Sequence, residues 1–248
     1  MLLVVAAQFL TRLPSPRLSA FEPDWVTRSA RWFPLVGQLV GAMAGVVFLG
    51  AAQLWPPAVA AVLALAAGLL ATGALHEDGL ADTADGLFGG ATPARRIEIM
   101  KDSRIGTYGV LALVVVLGLK AAGLAALTPV TGFWALVAVH GLGRAAAVTA
   151  MRVTPYAPEG RPTRWTPAQA GVRTWELAFS LVLAAWPLAM LGPAVAFAAL
   201  FGAALGAAVV IATARRRLGG HTGDVLGAVE QAAEVCGLLG VVAVVTCA

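Results

Sequence analysis

Three aspartates with regular spacing are the clearest candidates for chemistry in this chain. Asp78, Asp82 and Asp85 occupy positions i, i+4 and i+7 within the segment His76–Gly86. On an α-helix these positions lie within an arc of about 60° on one face. Three carboxylates on one face repel each other, and a bound cation relieves that repulsion. Because Mg²⁺ prefers oxygen ligands and shares its coordination shell with substrate phosphates, the spacing predicts a magnesium site.

Two other interpretations of the same segment do not involve magnesium. The aspartates could form a solvated acidic cap at the end of a membrane span. A zinc site could form at His76 and His221, but the chain has no His-Glu-x-x-His motif and no paired cysteine ligands to complete it. Three aspartates at these intervals, interspersed with glycines, favour the magnesium site over both alternatives.

A second polar segment, Lys101–Gly109, leads into an apolar run. Lys101 and Arg104 would neutralise the charge of a phosphate, and the arginine could donate two hydrogen bonds to it in a bidentate arrangement. Ser103 is a candidate N-cap for a helix whose first N–H groups would favour an anion. The alternative is an ordinary basic anchor beside a membrane span. Asp102 and the glycines of the segment favour the phosphate interpretation.

A third polar segment, Gly219–Gly227, contains Thr222 and Asp224 and precedes the last apolar run. Glu230 and Glu234 follow one helical turn apart inside that run. Carboxylates inside a membrane span are costly and indicate a functional role. Snorkelling to the membrane surface or pairing with a cation is the alternative interpretation of these glutamates.

Two basic side chains inside another apolar run are the candidate partners of these glutamates. His140 and Arg144 are also one helical turn apart. A buried carboxylate needs a hydrogen-bond donor or a cation beside it. Either side chain could supply that partner, and a second contact to a phosphate is the other role that their position allows.

The composition indicates an integral membrane protein. Of 248 residues, 59% are hydrophobic and 12% are charged, whereas soluble domains have about 45–50% and about 25%. These values, with only two cysteines, exclude an ordinary soluble domain, a disordered chain and a disulfide-rich secreted domain. The net charge of +4 does not indicate a nucleic-acid partner, because no basic run with interleaved aromatic residues is present.

Seven apolar runs are long enough to cross a membrane. They are Leu35–Trp55, Pro57–Leu75, Gly109–Leu127, Val130–Met151, Trp175–Leu191, Pro193–Ala214 and Leu226–Thr246. All lysines and arginines except Lys120 and Arg144 then lie on one side, which the positive-inside rule makes the cytoplasm, with the N-terminus inside. Met1–Leu10 is expected to be a short interfacial or re-entrant helix. The prediction is an all-α, polytopic helical bundle that forms a single domain over residues 1–248.

Glycines recur every four residues within two of these runs. Gly37, Gly41 and Gly45 form one stripe, and Gly202 and Gly206 form another. Small residues at this spacing let membrane helices approach closely. Room for a ligand is the alternative reason for the same stripes.

The residues taken alone therefore predict a membrane enzyme with an acidic site that binds Mg²⁺ and faces phosphate. No P-loop, nucleophile elbow or dinucleotide-binding fingerprint occurs in the chain. The spacing of the polar residues indicates Mg²⁺-dependent transfer involving a diphosphate at the cytoplasmic membrane surface. It does not identify the substrate.

The polar segments resemble those of a known family, the adenosylcobinamide-GDP ribazoletransferases, or cobalamin (5′-phosphate) synthases, of bacterial vitamin B12 assembly. The resemblance rests on Phe9–Pro14, Trp32–Gly37, His76–Gly86, Lys101–Gly109 and Gly219–Glu234. These segments extend over nearly the whole chain. Tyr156–Thr174 is the least similar segment, so no role is placed there.

The resemblance implies a specific reaction in the bacterial inner membrane. The adenosylcobinamide-phosphate group of adenosylcobinamide-GDP passes to α-ribazole or its 5′-phosphate, and GMP is released. Mg²⁺ is the implied cofactor, lipid is an expected partner, and a homo-oligomer is compatible with the sequence. The active site is expected to face the cytoplasm.

The resemblance also implies residue roles. Asp78, Asp82 and Asp85 would bind Mg²⁺ and the diphosphate. Asp82, Asp102 and Asp224 are the expected catalytic residues, with Asp102 or Asp224 as the base that takes the 5′-hydroxyl proton. The expected substrate-binding residues are His76, Lys101, Arg104, Thr107, Arg144, Thr222, Glu230 and Glu234.

Three other classes of membrane protein use carboxylate clusters. A CDP-alcohol phosphotransferase is expected to show Asp-Gly-x-x-Ala-Arg, but here Asp78-Gly79-Leu80-Ala81 is followed by Asp82. An intramembrane prenyltransferase carries two Asp-rich motifs, and this chain has one Asp-rich run. A cation-coupled transporter would place its carboxylates near the midplane between repeats, whereas these cluster at one membrane face and no repeat is evident.

Overall fold

Eleven α-helices and two short 3-10 helices, Ala30–Trp32 and Trp186–Met190, make up the regular structure of the described residues. The computed structural model describes residues 1–16, 22, 24–157 and 171–247. The helices are α1 (Leu2–Leu10), α2 (Trp25–Ser29), α3 (Phe33–Ala51), α4 (Pro57–Thr72), α5 (Leu75–Gly89), α6 (Pro93–Met100), α7 (Thr107–Ala125), α8 (Pro129–Val153), α9 (Thr174–Ala185), α10 (Pro193–Leu218) and α11 (Gly223–Cys247). Extended pairing in these ranges is limited to one isolated bridge, between Tyr156 and His221. The all-α prediction is confirmed.

Among the described residues, five helical segments are long and apolar enough to cross a membrane: Trp25–Ala51, which joins α2 to α3, and the helices α7, α8, α10 and α11. Only 22% of the most apolar stretch of α7 and 28% of that of α10 are buried, so most of the apolar surface of these two helices is available to lipid. Helices α4 and α5 give a sixth span only if counted together across a 91° bend, and Thr174–Met190 forms a shorter apolar helix. The membrane prediction is confirmed, but the predicted count of seven spans is not.

Glycines allow α3 and α8 to pack closely at the centre of the bundle. A Cβ atom added at Gly41 would lie 2.5 Å from the carbonyl oxygen of Leu136, and one at Gly45 would lie 2.6 Å from the ring of Phe133. Gly206 of α10 packs in the same way against the carbonyl of Ala232 in α11. The stripes of small residues therefore serve helix packing at these positions.

Replacing Gly41 by Ala is expected to destabilise the bundle. The added methyl group meets backbone atoms that cannot move away independently, and overpacking of this kind costs roughly 1–3 kcal/mol. Gly50→Ala on the same helix is the matched control, since a Cβ there meets nothing within 4 Å. Thermal unfolding of the purified variants in detergent should show a lower Tm for Gly41→Ala alone. Equal Tm values would contradict the packing role.

The N-terminal helices are attached to α9 by a buried ion pair. Arg28 of α2 donates from Nη1 to Oε2 of Glu176 at 2.6 Å, and the Glu176 side chain is fully buried. Arg31 lies 3.7 Å from the other carboxylate oxygen.

The predicted helix over Met1–Leu10 is confirmed as α1. Of the residues behind the predicted charge asymmetry, Arg17, Arg161 and Arg164 lie outside the described residues.

The bend between α4 and α5 depends on two consecutive residues in the left-handed region. Gly73 has φ +67° and Ala74 has φ +55°. Glycine adopts this conformation readily, whereas alanine does so at a cost of about 1–3 kcal/mol. Arg12 holds the bend from outside, because its N–H donates to the carbonyl of Ala71 at 2.8 Å. The bend turns α5 away from α4 and towards the start of α11.

Candidate active site

Two glycines let α5 cross the start of α11 at close range. A Cβ atom at Gly79 would lie 2.7 Å from the carbonyl oxygen of Asp224, and one at Gly227 would lie 3.0 Å from the carbonyl oxygen of His76. This crossing brings Asp224 to the face of α5 that carries the aspartates. Two of the three polar segments of the sequence therefore meet at one place.

The aspartates of α5 differ in exposure along the helix. Asp78 is exposed, Asp82 is partly buried, and Asp85 is buried. The carboxylates of Asp224, Asp78 and Asp85 all act electrostatically on Asp82, and their negative charges repel its own. The predicted helix beneath the aspartates is confirmed. A cation between these groups would relieve the repulsion.

Asp85 has a structural role that its spacing did not reveal. Its Oδ2 accepts a hydrogen bond from the N–H of Gly106 at 2.7 Å, and its Oδ1 accepts from the N–H of Gly109 at 2.9 Å. Gly106 is the N-cap of α7, so the expected capping by Ser103 is wrong. A carboxylate from α5 satisfies the first N–H groups of α7 instead. Both Asp85 oxygens are therefore occupied by the backbone.

Replacing Asp85 by Asn should loosen the connection between α6 and α7. The amide retains one acceptor oxygen, so a buried N–H loses its partner at a cost of about 1–3 kcal/mol. We expect a lower Tm and faster tryptic cleavage after Lys101 and Arg104. Glu98→Gln is the control, because Glu98 belongs to an exposed ion pair with Arg95 of small energetic value. Unchanged cleavage in Asp85→Asn would contradict the capping role.

A polar cleft of about 270 Å³ lies at the α6–α7 connection and includes Asp102, Arg104 and Thr107 in its lining. Arg104 donates to Asp102 from its backbone N–H, from Nε at 3.0 Å and from Nη2 at 2.7 Å. The side-chain hydrogen bonds, followed by the backbone one, lower the pKa of Asp102 to about 2. Asp102 is therefore ionised throughout the physiological range and is a weak proton acceptor. Lys101 is exposed beside this cleft.

A cluster of charged and polar side chains lies where α5, α7, α8 and α11 meet, and all of its members are buried except Glu77, which is half-buried. Its members are His76, Glu77, Lys120, His140, Arg144, Glu230, Gln231 and Glu234. We call it the buried charge cluster. Lys120 Nζ donates to Glu234 Oε2 at 2.6 Å and to Gln231 Oε1 at 2.7 Å, and Arg144 forms ion pairs with Glu230 and Glu234. A buried charge is tolerable when it is paired in this way.

The predicted pairing of Arg144 with the two glutamates is therefore confirmed. His140 lies 3.7 Å from Glu234, and His76 lies 4.0 Å from Glu230. Substrate contacts by these side chains stay predictions. Lys120 and Gln231 are members that the motifs did not single out. The only signal for Lys120 in the sequence is a lone cation within an apolar run.

Thr222 and Asp224 serve different purposes at the start of α11. Thr222 is buried, and its Oγ1 accepts a hydrogen bond from the N–H of Val225 at 3.2 Å, as expected of a helix cap. His221, beside it, donates its backbone N–H to the carbonyl of Pro155 at 2.9 Å. Burial lowers the pKa of the His221 ring to about 4, so the ring is neutral. Asp224 is the member of this segment that reaches the α5 crossing.

A second cleft, of about 170 Å³, connects the aspartates with the buried charge cluster. We call it the α1–α8 cleft. Its apolar side includes Phe9 of α1, Phe33 of α3 and Ala147 of α8. Asp78, Asp224 and Arg144 line its polar part. The structure thus brings together two groups of predicted site residues. One is the partly exposed carboxylates at the α5–α11 crossing, and the other is the buried, paired side chains of the charge cluster.

Comparison with known proteins identifies the family. The family model described as "Cobalamin-5-phosphate synthase" matches residues 2–242. The chain belongs to this family. The resemblance read from the polar segments is confirmed, and with it the prediction of a transferase of cobalamin biosynthesis. No solved structure shows a significant match to the chain.

Relatives of this cobalamin-5-phosphate synthase family member match over nearly their whole length. Proteins named "Adenosylcobinamide-GDP ribazoletransferase" are 45% identical in Leptothrix cholodnii, with 96% of this chain and 94% of the relative covered, and 42% identical in Bradyrhizobium diazoefficiens, with 95% and 90% covered. One from Shewanella frigidimarina is 38% identical, with 98% and 94% covered. The matched range of the family model, residues 2–242, extends over the helices that form the α5–α11 crossing, the buried charge cluster and both clefts.

Proposed function

We propose that this enzyme transfers the adenosylcobinamide-phosphate group of adenosylcobinamide-GDP to α-ribazole or its 5′-phosphate, with release of GMP. The observation that carries the proposal is the α5–α11 crossing, where Asp78, Asp82 and Asp224 converge in a chain of this family. The α1–α8 cleft opens beside the same carboxylates. A diphosphate and an acceptor hydroxyl could therefore meet there.

The reaction is an exchange of one phosphorus–oxygen bond for another. A ribose hydroxyl of the acceptor attacks the phosphorus next to cobinamide, and the bond from that phosphorus to the GMP oxygen breaks. The hydroxyl proton passes to a carboxylate and then to solvent. The family description names a product that retains a 5-phosphate, so the expected attack by the 5′-hydroxyl does not suit a phosphorylated acceptor. We place the attack on a ring hydroxyl of the ribose.

Asp224 is the better placed of the two candidate bases. Arg104 keeps Asp102 ionised by lowering its pKa to about 2, and a general base is most effective when its pKa lies nearer the working pH. Asp224 lies beside Asp82 at the crossing of α5 and α11, where the acceptor hydroxyl and the diphosphate are proposed to meet. Asp102 then keeps a positioning role, because it orients Arg104 towards the cleft that both residues line.

Mg²⁺ suits the donor set at the α5 crossing. No group of three or more His, Cys, Asp or Glu side chains is arranged as a metal site within the described ranges, and Asp85 is bound to the backbone. Mg²⁺ commonly needs only one or two carboxylates and completes its shell with water and substrate phosphate. Asp78 and Asp82 are the residues proposed to hold it. The ion would neutralise charge on the diphosphate.

We further propose that the enzyme lies in the bacterial inner membrane with this site facing the cytoplasm. The basic residues of the α2, α6 and α10 ends and the aspartates of α5 fall on one side of the predicted topology. By the positive-inside rule this side is cytoplasmic. The nucleotide product would then be released into the compartment that holds nucleotides.

The reaction is tested by analysing the corrinoid product. Purified protein in lipid nanodiscs is incubated with adenosylcobinamide-GDP and α-ribazole. The corrinoids are then separated, and their masses are measured by mass spectrometry. The proposal predicts a corrinoid that has lost GMP and gained α-ribazole. Formation of adenosylcobinamide phosphate alone, with or without α-ribazole, would indicate hydrolysis and contradict the proposed transfer.

A further inference from the structure

We propose that the α1–α8 cleft binds the fused-ring base of the acceptor nucleoside, with the ribose directed towards Asp78 and Asp224. This inference rests on the proposed function, because α-ribazole is taken as the acceptor. Its base is a dimethylated benzimidazole, which is flat and apolar and has one unsubstituted ring nitrogen. The sequence motifs assign roles to polar residues of this cleft, such as Asp78 and Asp224, but none to its apolar wall.

The size of the cleft suits this base. The volume of the cleft is about 170 Å³. Measured in the same way, the space that holds one water molecule is about 10–15 Å³. The cleft therefore has room for on the order of ten waters, or two fused rings of similar bulk. A corrin macrocycle is far too large to enter it. The other substrate must consequently approach the carboxylates from outside the cleft.

The lining of the cleft is apolar and includes an aromatic surface. The rings of Phe9 and Phe33 lie 5.8 Å apart with an interplanar angle of 14°, and both line the cleft. Ala147, Met151 and Leu226 also belong to the apolar wall. A flat aromatic ring gains both area burial and offset stacking against such a surface. A phosphate would gain neither.

The charges around the cleft argue against a diphosphate inside it. Among the described residues, Arg144 is the one lysine or arginine that lines the cleft, and its charge is taken up by Glu230 and Glu234. Asp78 and Asp224 are acceptors, which suit the hydroxyl groups of a ribose. The Nε atom of Arg144 is buried without a hydrogen-bond partner in the described part of the chain.

Narrowing the cleft should weaken binding of the acceptor alone. Ala147→Leu adds bulk to the wall, and we expect the KM for α-ribazole to rise about tenfold or more while the KM for adenosylcobinamide-GDP stays within about twofold. Ala146→Leu, one residue earlier on α8 and outside the cleft lining, is the matched control and should leave both values unchanged. An unaltered KM for α-ribazole in Ala147→Leu, or a rise confined to adenosylcobinamide-GDP, would overturn the proposal.

A second measurement needs no substitution in the protein. An α-nucleoside with a purine base carrying an exocyclic amino group should compete with α-ribazole about tenfold or more weakly, because its polar edge would be unpaired against the apolar wall. Equal competition would contradict an apolar base site. Equilibrium dialysis of α-ribazole with the protein, without adenosylcobinamide-GDP, tests the base site separately from the proposed transfer reaction. If the protein releases no GMP but binds α-ribazole, and Ala147→Leu removes that binding, only the proposed function fails.

Discussion

Asp82→Asn is expected to reduce GMP release from adenosylcobinamide-GDP by about 10²–10⁴-fold while leaving the protein folded. Asp82 is the carboxylate on which Asp224, Asp78 and Asp85 all act, and it is only partly buried. The amide has nearly the same shape but carries no charge. The asparagine side chain would therefore not hold Mg²⁺ against the substrate phosphates. Initial rates at saturating substrates measure the effect.

The neighbouring aspartate supplies the control for this experiment. Asp85→Asn should lower Tm and increase cleavage at the α6–α7 connection, because Asp85 binds the N–H groups of Gly106 and Gly109. Asp82→Asn should leave both properties at wild-type values. Near-normal turnover in Asp82→Asn would remove this residue from the site. A fall in Tm equal to that of Asp85→Asn would make its effect structural.

Arg144→Leu is expected to be the most destabilising single substitution in the bundle. Arg144 is buried and forms ion pairs with Glu230 and Glu234. Its removal leaves two buried carboxylates with too little compensating charge, and breaking a buried pair costs about 3–5 kcal/mol. We expect little folded protein in the membrane fraction and a large fall in Tm. Arg152→Leu, an exposed position on the same helix, should fold normally.

A double-mutant cycle separates the pairing from the packing of the cluster. Lys120→Met and Glu234→Gln each leave a charged partner behind, because the two side chains lie 2.6 Å apart. The double variant should therefore be less destabilised than the sum of the single variants, by about 0.5–3 kcal/mol. Strict additivity would contradict a direct interaction between Lys120 and Glu234.

The local features of this fold are the ones that the sequence predicted. The spacing of Asp78, Asp82 and Asp85 predicts a helix, and α5 carries all three. The glycine stripes predict close helix packing, and Gly41 packs against a backbone carbonyl of α8. Charge scarcity and long apolar runs predict the membrane. The helix and packing inferences depend on residues within one segment, where periodicity is a direct physical signal, and the membrane inference depends on composition.

The features that the sequence did not predict depend on contacts between distant segments. Asp85 caps a helix that begins more than twenty residues later, so its spacing with the other aspartates suggested a metal ligand. Lys120 donates to the carboxylate of Glu234, which lies 114 residues later in the chain. The bend at Ala74 requires a left-handed alanine, which no propensity favours. The span predicted over Trp175–Leu191 is instead a short helix, α9, followed by a 3-10 turn.

GMP release by the purified wild-type protein in nanodiscs, measured with both substrates and varied Mg²⁺, tests the proposed transfer and its metal requirement together. We expect release that requires α-ribazole, stops when Mg²⁺ is chelated by EDTA, and returns when Mg²⁺ is restored. Full GMP release in EDTA would contradict a metal between the carboxylates of α5. Release at the same rate without α-ribazole would contradict group transfer at the crossing of α5 and α11.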